Sequence, residues 1–113
     1  MSNINRKLEK EVSLTLSLLG VTPDLKGHQI IKRQIMYSLG FCVYDKGENN
    51  DNGKANKKRD DARIRTAFIT AYSDGKLHNI NELIGIEIID DSGNYTPKML
   101  VKVLEEYFYY KQY

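Results

Sequence analysis

The chain has 113 residues, which fits one domain, and its 41% hydrophobic and 28% charged residues are ordinary for a soluble protein with one modest core. A formal net charge of +2 is too small to demand a polyanionic partner by itself. Cys42 is the only cysteine, so an internal disulfide framework and a cysteine-built zinc site are excluded, and a reducing, cytoplasmic setting is expected.

The N-terminus lacks the basic, apolar and small-residue succession of a signal peptide. No apolar run approaches the ~20 residues of a membrane span. Asn3 to Leu19 reads as a helix, with Ile4, Leu8, Val12, Leu16 and Leu19 at helical spacing and Leu14 and Leu18 widening the buried face. Gly20 ends it. Gly20 to Gly27 is a connection in which Pro23 turns Thr22 away from helical geometry and Asp24 is placed to cap the next helix. Ile30, Ile31, Ile35 and Leu39 form that helix's buried face, Lys32 and Arg33 fall off the stripe, and Gly40 stops it.

Phe41-Cys42-Val43-Tyr44 is too short for its periodicity to choose between strand, helix and packed loop. Residues 45–58 are polar and rich in Asn, Asp and Gly, and are expected to form a mobile loop within the single domain 1–113. A helix follows from about Arg59 to Asp74. Ile64, Ala67, Phe68, Ala71 and Tyr72 give it one apolar stripe, Asp60 or Asp61 would cap it, and Gly75 would close it. Asn79 and Glu82 have capping-box spacing ahead of Ile80, Leu83 and Ile84, and Gly85 ends that short helix. Ile86, Ile88 and Ile89 would form a short extended piece, and residues 90–94 a turn. Thr96-Pro97 starts the last helix, whose stripe is Leu100, Val103, Leu104, Tyr107 and Phe108. Tyr109, Tyr110 and Tyr113 leave an aromatic tail.

The chemistry of an enzyme is not visible. There is no glycine-rich phosphate loop, no His-Glu-x-x-His pattern and no nucleophile elbow, so no catalytic residue and no cofactor are assigned. His28 and His78 lack ligand neighbours at metal spacing and read as packing or surface histidines. Asp60-Asp61 and Asp90-Asp91 read as a helix cap and a turn. The informative feature is charge distribution. Lys54 to Arg65 carries six basic side chains against two acidic ones, immediately before the apolar stripe.

Two stretches together resemble a known family. Gly20-Val21-Thr22-Pro23-Asp24-Leu25-Lys26-Gly27-His28 is similar to the Gly-Val-Pro…Lys-Gly-aromatic segment of the C-terminal effector domain of the sporulation master response regulator. Ile64-Arg65-Thr66-Ala67…Ala71-Tyr72-Ser73-Asp74-Gly75 resembles the Ile-Arg-x-Ala…Ala-Trp-Ser-x-Gly end of that domain's recognition helix. Ile80 to Gly85 and Thr96 to Tyr107 resemble its next two helices, in the same order. The resemblance implies an all-α, compact bundle of about five helices with a helix-turn-helix, which binds duplex DNA in the major groove and touches an RNA polymerase sigma factor or another regulator. Because the similarity begins almost at Met1, it also implies an effector that stands alone, with no receiver domain.

The departure lies in residues 45–58, where the family carries the supporting helix of its helix-turn-helix and this chain carries a polar stretch with Ala55 as its one apolar residue. Under the DNA-binding expectation, Lys54, Lys57, Lys58 and Arg59 neutralise phosphates, while Arg59, Arg63 or Arg65 reaches a base edge. Arg63 is the better reader, since the stem of Arg65 lies beside Ile64 at the core rim. The alternative expectation is a protein-interaction module on a helix-turn-helix scaffold that no longer binds DNA. Its tyrosine-rich end would bind a regulator, a polymerase subunit or a second copy in a homodimer. Single-stranded nucleic acid fits less well, because no aromatic residue interleaves the basic stretch.

Overall fold

Apolar residues repeating at three- and four-residue intervals call for helices packed on helices, and the described residues contain five helices and no strand. The computed structural model describes the backbone of residues 3–41, 53–90 and 92–112 and the side chains of residues 6–41, 57–90 and 92–111. The helices are α1 (Asn3–Leu18), α2 (Lys26–Ser38), α3 (Gly53–Ser73), α4 (Asn79–Ile84) and α5 (Pro97–Gln112). The chain is thus the all-α bundle expected from its sequence. No helix among the described residues is long and apolar enough to cross a membrane.

In α1, Leu8, Val12 and Leu16 line one face and are buried together with Leu19 and Val21. Leu14 and Leu18 do not widen that face; they are 60% and 54% exposed. The reason is angular. At 3.6 residues per turn, Leu14 points roughly 200° away from Val12. Gly20, at φ 94°, ends α1 in the left-handed conformation, and Val21 N–H donates to Leu16 O at 2.8 Å.

The connection then runs straight into α2. Asp24 does not cap it. Leu25 occupies the cap position in extended geometry without a side-chain bond, and the Asp24 carboxylate accepts from the Thr22 hydroxyl instead. Ile30, Ile31, Ile35 and Met36 enter the core. Lys32, expected off the stripe, is also buried, because its Nζ meets Glu9 Oε2 of α1 at 3.1 Å.

The α2–α3 packing depends on absent side chains. A Cβ at Gly27 would stand 2.5 Å from the Arg63 carbonyl oxygen and 2.8 Å from Ala67 Cβ, and one at Gly20 would stand 2.9 Å from Ala71 Cβ. Ala67 and Ala71 are one turn apart on α3, so both ends of the 20–27 connection seat a glycine against an alanine. That close approach buries Ile64 and Phe68 beside them.

The start of α3 differs from expectation. Residues 53–58 are helical, so α3 begins at Gly53 rather than Arg59, and Asp60 and Asp61 lie in its interior instead of capping it. The polar stretch offers no apolar stripe, but Lys, Ala and Arg are good helix formers and extend a helix nucleated by the packed stripe behind them. Residues 45–52 of the expected loop, and Cys42 to Tyr44, lie outside the described residues. Gly75, at φ 77°, follows the end of α3 as expected.

Ile80 of α4 is buried and Leu83 and Ile84 are half-buried. The expected capping box is absent. His78 holds the cap position without a side-chain bond, and Asn79 Nδ2 donates across the bundle to Leu18 O at 2.9 Å. Residues 86–89 form no strand. The Asn81 side chain serves them as a strand neighbour would: its Oδ1 accepts from Ile88 N–H (2.7 Å) and Ile89 N–H (2.8 Å), and its Nδ2 donates to Ile89 O (2.7 Å). Thr96 caps α5, its Oγ1 accepting from Met99 N–H at 3.1 Å, and Leu100, Val101, Leu104 and Phe108 complete the core.

Candidate nucleic-acid interface

The six basic residues singled out in the sequence all fall within α3, a helix of 21 residues and thus about 31 Å long. Its second half is held by the core. Its first half carries the charge, and Lys57, Lys58, Arg59, Asp61 and Ala62 are all exposed. The side chain of Lys54 lies outside the described residues; its backbone belongs to the first turn of α3.

Helical geometry sorts the others. Lys58 and Arg65, seven residues apart, share one line. Arg59 and Arg63, four apart, share another on the opposite flank. Between the two lines runs a strip of Ala62, Thr66 and Ile69, all exposed, with Ile69 at 52%. Lys57 belongs to neither flank. It stands seven residues before Ile64, on the line of the core stripe, and is exposed. The basic residues therefore do not form one patch. They bracket a strip of small and apolar side chains on the face turned away from the core. Asp61, one turn before Arg65, offsets part of the charge on that flank.

The Arg59–Arg63 flank borders a cleft of about 510 Å³ between α3 and the start of α2. Asp24, Leu25 and Lys26 form its far wall, and Ala62 and Thr66 its near one. Arg63 is half-buried there and Arg65 is exposed, the reverse of the expectation that the stem of Arg65 packs along the core rim, because Arg63 lies on the flank that meets the start of α2. The α2 N-terminus adds the positive end of a helix dipole. Asp24 opposes it. Its carboxyl is held below the ordinary carboxylate range, chiefly by the Thr22 hydroxyl bond, so it is an anion at neutral pH.

Two further side chains position this cleft and were not singled out by sequence reasoning beyond a packing or surface role. His28, 2% exposed, has Nδ1 2.8 Å from Val21 O and Nε2 2.9 Å from Ser13 Oγ. A carbonyl only accepts, so Nδ1 carries a proton and donates it to Val21 O, while Nε2 pairs with the Ser13 hydroxyl. This imidazole ties α1, the connection and α2 into one unit, and its partners are 15 and 7 residues away in sequence, where no local pattern reveals them. Its burial denies a substrate access, so the Ser13–His28 pair is a structural tie. Among the described residues, no group of three or more His, Cys, Asp or Glu converges on a point that would hold a metal.

Comparison with protein-family models, with curated proteins and with solved structures found no match to this chain.

Proposed function

We propose that this protein is a small DNA-binding regulator of the sporulation-effector type, which grips duplex DNA with the exposed face of α3. The observation that supports this reading is the arrangement on that face. Ala62 and Thr66 present methyl groups of the kind that contact thymine, and Lys58 and Arg65 on one side and Arg59 and Arg63 on the other stand where two phosphate walls would pass. A helix 10–12 Å across fits the major groove of about 12 Å, and α3 is long enough to lie in it while its second half stays in the core. In this reading Arg63 reaches a base edge and Lys54, Lys58 and Arg59 contribute phosphate contacts, whereas Lys57, on the line of the core stripe, lies off the face that enters the groove.

The experiment is a titration of random-sequence duplex DNA at two salt concentrations. Binding that weakens with salt, and whose salt slope falls by about 0.9 for each phosphate contact removed in R59A/R63A, supports the reading. No binding at low salt overturns it. The alternative, a protein-interaction module on a scaffold that no longer binds DNA, is favoured by one observation: an apolar groove beside the end of α5, lined by Tyr107 and Tyr110.

A further inference from the structure

A groove at the end of α5 is an apolar feature that the α3 reading leaves unused. It has a volume of about 600 Å³ and lies between α5 and the end of α4 with the segment that follows it. Ile84, Ile86 and Ile88 form one wall, and Val103, Tyr107 and Tyr110 the other. Ile86 is 64% exposed and Tyr110 71% exposed, an expensive display for side chains of that size. Glu106 and Lys111 line the groove as well, and Lys111 Nζ stands 5.6 Å from the centre of the Tyr107 ring.

The charge pattern identifies the occupant. When two copies of one helix pair antiparallel about a twofold axis, residues face each other if their numbers add to a constant. The register that sets Glu106 against Lys111 of a second copy also sets Tyr107 against Tyr110 of that copy. One symmetry operation thus creates two opposite-charge pairs on the rim and stacks four tyrosines on the axis, with Ile86 of each copy beside them. A parallel pairing would instead oppose Glu106 to Glu106 and Lys111 to Lys111. We infer that this groove is the interface of a homodimer, closed by the same groove of a second copy with the two α5 helices antiparallel. The inference goes beyond the α3 reading and does not depend on it, since the groove is formed by α5, the end of α4 and the segment after it.

The test is the oligomeric state of the full chain without DNA, followed by sedimentation over a range of concentrations. The wild type dimerises. E106K and K111E, both at exposed positions, each weaken the dimer at least about tenfold, because each places like charges on both rims. Mixing E106K with K111E restores a heterodimer, since one copy then carries two lysines and the other two glutamates at the facing positions. Y110S weakens the wild-type dimer by a similar factor, with its helical circular dichroism unchanged. A wild type that stays monomeric up to about 1 mM overturns the inference, as does a dimer insensitive to these variants, or single variants that lose the dimer and are not rescued by mixing.

Discussion

Replacing Gly27 with Ala tests the geometry on which the α2–α3 pair rests. Gly27 lies in the first turn of α2, where alanine would ordinarily stabilise by roughly 0.5–1 kcal/mol through the unfolded chain. Here the added methyl meets the Arg63 carbonyl at 2.5 Å and Ala67 Cβ at 2.8 Å, both inside the 3.0 Å below which something must shift. The carbonyl belongs to the interior of α3 and cannot swing aside, so α2 must slide by about half an ångström and loosen its core contacts. Overpacking of this kind costs about 1–3 kcal/mol. The expected net effect of G27A is a loss of about 1–2 kcal/mol, or a fall in Tm of roughly 4–8 °C. Thermal and urea unfolding followed by circular dichroism measure it. The G27A/A67G double variant should recover part of the loss, because it removes one of the two clashes. Wild-type or higher stability in G27A would refute the close crossing, since the propensity gain would then act unopposed.

Removing the buried imidazole in H28A leaves Val21 O and the Ser13 hydroxyl without their partner and should lower stability by about 2–4 kcal/mol, with S13A costing less; the urea midpoint of each variant checks the order. N81A deletes three hydrogen bonds to Ile88 and Ile89 and should cost about 2–3 kcal/mol, and hydrogen exchange should quicken first at those two amides. Asp24 gives a pH signature. Its carboxyl is depressed below 3.8 in the fold, so its contribution is present above that value and is lost as pH falls through the lower folded value. Wild type should therefore exceed D24N in Tm at neutral pH, and the gap should close on acidification; a gap that widens would contradict the Thr22–Asp24 bond.

The helices and most of the core were legible because burial on a helix follows angle, and angle follows spacing. Val12, Ile31, Ala67, Phe68 and Leu104 stand where periodicity puts them. Leu14 and Leu18 are exposed because the angle on α1, not hydrophobicity, decides which face is buried. Lys32 misled because burial of a lysine depends on a partner, here Glu9, 23 residues away. Asp24 and Asn79 had the residue types of caps, but each found another hydrogen bond, which spacing along one segment does not disclose. The candidate site was legible in composition, since all six basic residues do lie on one helix. Its division into two flanks around Ala62 and Thr66 became legible once α3 was known to run unbroken from Gly53.

That unbroken run makes α3 two things joined end to end. From Ile64 onward its buried face of Ile64, Ala67, Phe68 and Ala71 is fixed by packing, and Gly27 leaves no room for a larger neighbour than Ala67. Before Ile64, Lys57, Lys58, Arg59, Asp61 and Ala62 are exposed and stand outside the core cluster. The forward segment can therefore be rewritten, by drift or by design, without renegotiating the fold. A library randomised at positions 57–62 should yield mostly folded proteins with new preferences, whereas one randomised at 67 and 71 should yield mostly unfolded ones.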